Sequence, residues 1–307
     1  MGTQGFSPRA RSDAQMVRFG AEAARVALRG TNAETAFETD VVLAPRDARR
    51  AHLNGARLAS AERLRLELRT LVFTPDRLAV VKGAPATRRA YIDRSLGRLS
   101  PAKASLPVEY AAAVGQRNAG LRRLRAGSST SEALRPWTER VVTLGIELVV
   151  ARAEVAATLA GPFAELAGFL GLEAAAIAYD GEAPTIAELD SRLERDLERG
   201  ITGAGPHLHD VRLEAGGRDL RSFGSQGEQR MAVLALVLAE ADVLKSRSAA
   251  APLVLLDDVL SELDGDRRRA LAEIVTKGGQ TVITATARAA LPIEPAQTLA
   301  VSPGRIR

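Results

Sequence analysis

Two adjacent carboxylates follow directly on an apolar run in the last fifth of the chain. Residues 253–256 are Leu-Val-Leu-Leu, and Asp257 and Asp258 come next. Such a run predicts a strand buried on both faces of a parallel sheet, and sheets of this kind bind ligands at the carboxyl ends of their strands. In nucleotide hydrolases the first acid helps to hold Mg²⁺, and the second orients or deprotonates the attacking water. The alternative is a strand that ends in solvent beside two acids.

A second segment with the composition of a phosphate site lies upstream of this strand. Ser225-Gln226-Gly227-Glu228 opens an apolar stretch that predicts a helix from about residue 226 to 244. Ser225 and Glu228 form the capping-box pattern, which serves any helix. The functional interpretation is that Gly227 and the serine leave backbone N–H groups at the helix start accessible to a phosphate.

The elements around these segments follow a mixed pattern of strands and helices. Alternating apolar residues predict antiparallel strands at residues 24–29, 35–43 and 66–73. From residue 88 to about 199 apolar residues recur at three- and four-residue spacing, which predicts helices. Residues 252–285 read as strand, helix and strand, which is a βαβ unit and indicates an α/β fold.

The composition excludes several kinds of site. The chain has no cysteine, which excludes disulfides, thiol nucleophiles and cysteine-bound metals. It has three histidines, which argues against a His-rich metal site. His207 and His209, two apart on a strand, would face one side, either as a metal pair or in turn and core roles. No apolar run reaches about 18 residues, so we expect no membrane span and no membrane partner. The lack of cysteine fits a cytoplasmic protein, which is the localisation that we expect.

The charge balance is basic, with a formal net charge of +5 and a pI of about 10.0. A basic surface suggests nucleic acid as a partner. Arginine supplies nearly all of this charge, and a GC-rich genome also produces such a composition. The net charge alone therefore leaves both explanations open.

Three segments in this order resemble the motifs of ABC-type ATPases. They are the signature motif that opens a helix at Ser225, the Walker B strand that ends at Asp257, and a D-loop, Ser261-Glu262-Leu263-Asp264. Residues 222–230 resemble in particular the RecF family of DNA replication and repair proteins. The same likeness extends over essentially the whole chain, through Asp13, Arg18-Phe19-Gly20, Val72-Phe73-Thr74-Pro75-Asp76, Lys82-Gly83-Ala84-Pro85, Arg88-Arg89, Asp93, Gln116-Arg117-Asn118 and Gly205-Pro206-His207.

The resemblance implies a role for each matching residue. Asp257 would be the Mg²⁺-associated acid and Asp258 the catalytic carboxylate. The other matching residues would contact ATP that a second subunit holds. They are Ser225, Gln226, Gly227 and Glu228 of the signature motif and Asp264 of the D-loop.

The resemblance also implies a biological setting. It implies ATP-dependent binding of single-stranded or gapped DNA during recombinational repair and the SOS response, with ATP and Mg²⁺ as cofactors. The implied partners are recombination mediator proteins of the RecF pathway and a second copy of the chain in an ATP-dependent homodimer. An SMC-type head fits less well, because an arm of about 110 residues is too short for a long coiled coil.

The implied architecture is an α/β fold, namely an ABC-type ATPase head, incomplete at its N-terminus, with an inserted α-helical arm. Residues 1–87 would form the N-terminal β-rich part of the head, residues 88–202 the helical arm, and residues 203–307 the C-terminal part with the three motifs.

The sequence departs from the family pattern at two places. No P-loop of the form G-x-x-x-x-G-K-[ST] occurs in the 307 residues. We therefore expect a misassigned start or a truncation, and no ATP hydrolysis by this chain alone. The alternative function is that of a non-hydrolysing fragment acting as a DNA- or protein-interaction module. Thr284 and Thr286 replace the usual switch histidine, and a threonine hydroxyl could still bond a phosphate oxygen.

Overall fold

The computed structural model describes residues 1–307 apart from 4, 6, 8–11, 33, 46, 249 and 304. The first part of the chain is an antiparallel sheet. Its strands pair in chain order and are β1 (Ala24–Asn32), β2 (Thr35–Leu43), β3 (Arg50–Leu53) and β4 (Ala56–Arg57). The inner face of this sheet contributes Val41 and Leu43 to a small core of its own.

A short helix precedes the next strand. The sequence predicts a strand over residues 66–73, but α1 (Leu64–Glu67) comes first and β5 (Thr70–Phe73) follows. Leu64 and Leu68, one helical turn apart, are both buried in the small core. The need to bury these two leucines on one side therefore overrides the local alternation.

Four helices follow, and the last two form a long antiparallel pair. They are α2 (Ala79–Lys82), α3 (Pro85–Leu99), α4 (Leu106–Arg125) and α5 (Ser131–Phe169). The Thr130 hydroxyl caps α5 by accepting the N–H of Ala133. At 1.5 Å per residue α5 is about 58 Å long.

A strand interrupts the region that the sequence predicts as helical. β6 (Ala176–Asp180) is followed by α6 (Ile186–Ser191) and α7 (Leu193–Arg199). β6 pairs antiparallel with β7 (Asp210–Ala215), which turns into β8 (Arg218–Asp219). The helix prediction was wrong at β6 because its alanines favour a helix locally, whereas pairing with β7 is a long-range interaction. The boundaries at 87 and 202 stay predictions.

The predicted βαβ unit is confirmed. α8 (Leu220–Phe223) and α9 (Gln226–Ser246) lead to β9 (Leu253–Leu256), α10 (Gly265–Thr276) and β10 (Thr281–Ile283), before the short hairpin of β11 (Val301–Ser302) and β12 (Arg305–Ile306). β10, β9 and β5 form a parallel sheet in this order. α9 is buried along most of its length and packs against α5 and β5.

Among the described residues, none of the helices is both long enough and apolar enough to cross a bilayer.

Candidate functional site

The predicted pair of acids lies at the carboxyl end of β9, between two neighbouring strands. The N–H of Asp257 donates to the carbonyl of Phe73, which ends β5, at 3.0 Å. On the other side the N–H of Thr284, which follows β10, donates to the carbonyl of Leu256 at 3.0 Å. The edge of the parallel sheet thus holds the backbone of Asp257 in place, at the position where such sheets bind ligands.

The hydroxyl of Thr284 joins the two acids. It donates to Asp257 Oδ1 at 2.8 Å and accepts the backbone N–H of Asp258 at 3.0 Å. Because an ionised carboxylate can only accept, the single hydroxyl proton is directed at Asp257. Sequence reasoning assigned this hydroxyl to a phosphate and missed its link to the acids. The available signal was its position directly after the strand that follows β9 in the βαβ unit.

The backbone of Asp258 adopts a left-handed conformation, with φ of 50°. This region is uncommon for residues other than glycine, although aspartate enters it more readily than most. Two hydrogen bonds hold it there: its N–H is bonded by Thr284, and its carbonyl accepts the hydroxyl of Ser261 at 3.0 Å. Observed backbone strain of this kind concentrates at functional sites, which is consistent with the predicted catalytic position.

Asp264 lies at the start of α10 and caps it. Its carboxylate accepts the N–H of Arg267 at 2.9 Å, and the Arg267 guanidinium lies 3.4 Å from it. The same guanidinium donates to the carbonyl of Leu170 at the end of α5. The structure therefore gives Asp264 a local role in capping α10, while a role across a dimer interface stays a prediction.

The signature segment forms the N-terminus of α9, with the capping box complete. Ser225 Oγ accepts the N–H of Glu228 at 3.2 Å, and the Glu228 carboxylate accepts the N–H of Ser225 at 2.7 Å. This backbone hydrogen bond is the main reason why the pKa of Glu228 lies below its ordinary value. Gln226 and Gly227 are exposed, so their N–H groups face solvent at the positive end of the helix dipole.

The predicted site residues thus fall into three groups on three elements. Asp257 and Asp258 are brought together with Thr284 at the end of β9, Asp264 caps α10, and residues 225–228 start α9. Each of the last two groups has a local structural role, and the nucleotide contacts assigned to them stay predictions.

The two histidines have roles in packing. His207 Nε2 lies 3.0 Å from the carbonyl of Thr202, and Nδ1 lies 2.8 Å from the hydroxyl of Tyr110. Because a carbonyl only accepts, Nε2 carries the proton, and Nδ1 accepts from the tyrosine. His209 Nδ1 lies 2.9 Å from the hydroxyl of Tyr179. Among the described residues, no three histidine, aspartate or glutamate side chains converge as a metal site. The turn and core roles are the ones observed.

Charged residues of the helices α3–α5 fix the segment that leads to β7. The Arg152 guanidinium binds both oxygens of Asp93, at 2.7 and 2.8 Å, and donates to the carbonyl of Pro206 at 2.6 Å. Arg88 binds both oxygens of Asp210 at 2.8 and 2.7 Å. These motif residues join the helices to residues 206–210, which lead into β7.

A second connection is fully buried. Arg117 and Asp196 form an ion pair of 2.8 Å with side chains 1% and 2% exposed. Arg117 also donates to Thr202, whose own N–H and hydroxyl donate to Asn118 Oδ1, both at 2.7 Å. The Arg117-Asn118 motif therefore holds the turn at residue 202 onto α4.

The chain was compared with known proteins by sequence and by structure. No protein-family model matches it. The "DNA replication and repair protein RecF" of Heliobacterium modesticaldum is 36% identical over 298 residues, covering 92% of this chain and 80% of that protein. The protein of the same name from Anaeromyxobacter dehalogenans strain 2CP-1 is 38% identical over 305 residues, covering 92% and 79%.

Solved structures agree on the fold. The recombination mediator protein RecF with ATP, of the RecFOR pathway, superimposes with a TM-score of 0.86 at 22% identity, covering all of this chain and 85% of that one. An Smc head bound to the C-terminal winged-helix domain of ScpA gives a TM-score of 0.51 at 16% identity, covering 92% and 74%. The predicted fold, an ATPase head of the ABC and SMC type, is confirmed.

Proposed function

The chain belongs to the RecF family of DNA replication and repair proteins, and we propose that it binds single-stranded or gapped DNA in an ATP-dependent manner during recombinational repair and the SOS response. This role places it in the cytoplasm, where it acts with recombination mediator proteins of its pathway and with a second copy of itself in an ATP-dependent homodimer.

The observation that carries the nucleotide part of this proposal is the arrangement of Asp257, Asp258 and Thr284. Two acids stand at the carboxyl end of a buried parallel strand, joined by one hydroxyl. This is the position from which an α/β sheet meets the phosphates of a nucleotide. Asp257 would associate with the metal ion, and Asp258 would act on the attacking water.

The residues at this edge fit a magnesium ion. Mg²⁺ takes oxygen ligands and is held in phosphate-transfer sites by one or two carboxylates together with substrate phosphates. Asp257 supplies such a carboxylate, and its Oδ1 accepts the hydroxyl of Thr284. When bound, the ion would neutralise charge on the phosphates, while Thr284 keeps the Asp257 carboxylate oriented.

The start of α9 supplies the other half of the proposed nucleotide contact. Ser225 accepts the N–H of Glu228 as helix cap, and its hydroxyl proton would turn from the Glu228 carboxylate to a bound phosphate oxygen. The N–H groups of Gln226 and Gly227 add two further donors. Together with Glu228 and Asp264, these groups would face ATP bound by the second subunit of the homodimer.

A second candidate function is an interaction module that binds DNA or protein without hydrolysing ATP. The observation that favours it is the absence of a P-loop motif from the 307 residues. The glycines and the lysine of that motif are what normally hold the β- and γ-phosphates. Binding of DNA that is indifferent to ATP separates this candidate from the first.

The test is the affinity of the 307-residue chain for a fluorescent gapped duplex, measured by anisotropy with and without ATP and Mg²⁺. The first candidate predicts that ATP tightens binding, that Asp257→Asn abolishes this effect, and that the matched surface change Asp266→Asn keeps it. We also expect affinity to fall steeply with salt, because arginine–phosphate contacts release counterions. Equal affinity with and without ATP would favour the second candidate, and the absence of DNA binding would overturn the proposal.

A further inference from the structure

A buried glutamate on α9 accepts hydrogen bonds at both of its carboxylate oxygens. Glu240 is 0% exposed. Its Oε1 accepts from Arg98 Nε, and its Oε2 accepts from the hydroxyls of Tyr91 at 3.2 Å and Ser95 at 3.0 Å and from a terminal nitrogen of Arg98 at 2.8 Å. Both carboxylate oxygens are therefore already engaged, with the single Tyr91 proton shared between Oε2 and the carbonyl of Leu236, also at 3.2 Å.

Two further arginines lie near this hydrogen-bonded carboxylate. Arg94 lies on α3 one helical turn from Arg98 and three residues from Tyr91, so it shares their side of the helix. Arg77 lies in the 3-10 turn Pro75–Leu78, which packs on α9. Both arginines are half-buried. In the part of the chain that the structure describes, neither side chain makes a hydrogen bond or an ion pair.

The electrostatic setting shows that these charges are not compensated. Burial, the largest cause, lowers the pKa of the Arg77 and Arg94 guanidinium groups. The charges of Arg94 and Arg98 lower the pKa of Arg77 further, and those of Arg98 and Arg65 lower the pKa of Arg94. The attraction of Glu240 is shared among three cations. A half-buried cation without a partner is costly, so an anion is expected to complete the cluster.

We propose that Arg77 and Arg94 form a binding site for a phosphate group. Each guanidinium is a planar fork of donors that matches two oxygens of a phosphate, and the pair can hold it from two elements. Arg77 comes four residues after Phe73, and the carbonyl of Phe73 accepts the N–H of Asp257. The site therefore lies close in the chain to the carboxyl ends of the parallel strands. The phosphate belongs either to a nucleic-acid backbone or to a nucleotide. This site consists of the two arginines and does not depend on the proposed function.

The first experiment uses inorganic phosphate as the probe. Thermal unfolding of the full chain is followed in rising phosphate against chloride at matched ionic strength. We expect phosphate to stabilise the wild type, and Arg94→Gln or Arg77→Gln to weaken its apparent affinity about tenfold, as loss of a charged hydrogen bond does. Arg123→Gln, which removes an exposed arginine from the last turn of α4, is the matched control and should behave as wild type.

Two further measurements separate a site defect from a folding defect. Without phosphate, Arg94→Gln should melt no lower than the wild type, because it removes an uncompensated charge. Arg94→Lys keeps the charge but loses the fork, and it should bind phosphate more weakly than the wild type and more tightly than Arg94→Gln. Equal stabilisation of the wild type, Arg94→Gln and Arg77→Gln by phosphate would overturn the site, as would no stabilisation of the wild type beyond that by chloride.

The source of the phosphate is decided by two ligands tested in parallel. If the affinity for a labelled single-stranded oligonucleotide falls in Arg77→Gln and Arg94→Gln but not in Arg123→Gln, the site holds the nucleic-acid backbone. If stabilisation by ATP falls in the same two variants, it holds a nucleotide. A chain that binds phosphate but no DNA would overturn the proposed function and leave this site standing.

Discussion

The hydroxyl of Thr284 donates to Asp257 Oδ1 at 2.8 Å, across the boundary between two neighbouring parallel strands. The hydroxyl oxygen of Thr284 also accepts the backbone N–H of Asp258 at 3.0 Å. One side chain that follows β10 therefore holds the carboxylate of Asp257 and the backbone of Asp258, the two residues that follow β9. Thr284 therefore positions the two aspartates, and it would affect a ligand only through them.

The first prediction concerns this hydroxyl. Thr284→Val keeps the shape but removes both hydrogen bonds, and we expect a loss of about 1 kcal/mol in the free energy of unfolding, since the site is open to water. Exchange of the Asp258 amide proton, measured by NMR, should become faster. Thr284→Ser is the control and should keep the protection of this proton; an equally unprotected amide in both variants would contradict the role of the hydroxyl.

A second prediction concerns the left-handed backbone of Asp258. Asparagine tolerates this conformation about as well as aspartate, whereas alanine is disfavoured there by about 1 kcal/mol. Urea denaturation should therefore show Asp258→Ala to be less stable than Asp258→Asn by that amount. Equal stability of the two variants would mean that the turn relaxes to another conformation.

The third prediction assigns Arg117 to stability rather than to DNA contact. Its ion pair with Asp196 is almost completely buried. Arg117→Leu leaves the Asp196 carboxylate buried and unpaired, so the free energy of unfolding should fall by about 3–5 kcal/mol. Arg123→Leu, on the exposed face of the same helix, should change it by less than about 0.5 kcal/mol. A stable Arg117→Leu variant with weakened DNA binding would reverse the assignment.

The fourth prediction is a pH dependence that arises from His207. Burial, followed by the charges of Arg89 and Arg152, lowers the pKa of this histidine in the folded state. The unfolded chain therefore binds the proton more readily, and stability is lost as pH falls below about 6.5, the ordinary histidine value. Denaturant titrations between about pH 7 and pH 5 should show this loss. His207→Gln should reduce the slope in this window without abolishing it, because burial also lowers the pKa of His209; an unchanged slope would assign the dependence to another group.

The sequence by itself determined the parts of the molecule that rest on local patterns. The continuous apolar run at residues 253–256 became the buried strand, Ser225 with Glu228 became a capped helix start, and Asp264 fell at the start of the next helix. These features depend on neighbours within a few residues, so their signal is present in the chain itself.

Only the tertiary structure decided which distant groups meet. The link between Thr284 and Asp257 spans 27 residues, and the pair of Arg117 and Asp196 spans 79. β6 forms because β7 lies beside it, although its two alanines favour a helix. Such contacts leave no periodicity in the sequence, because burial and strand pairing bring the partners together only when the chain has folded.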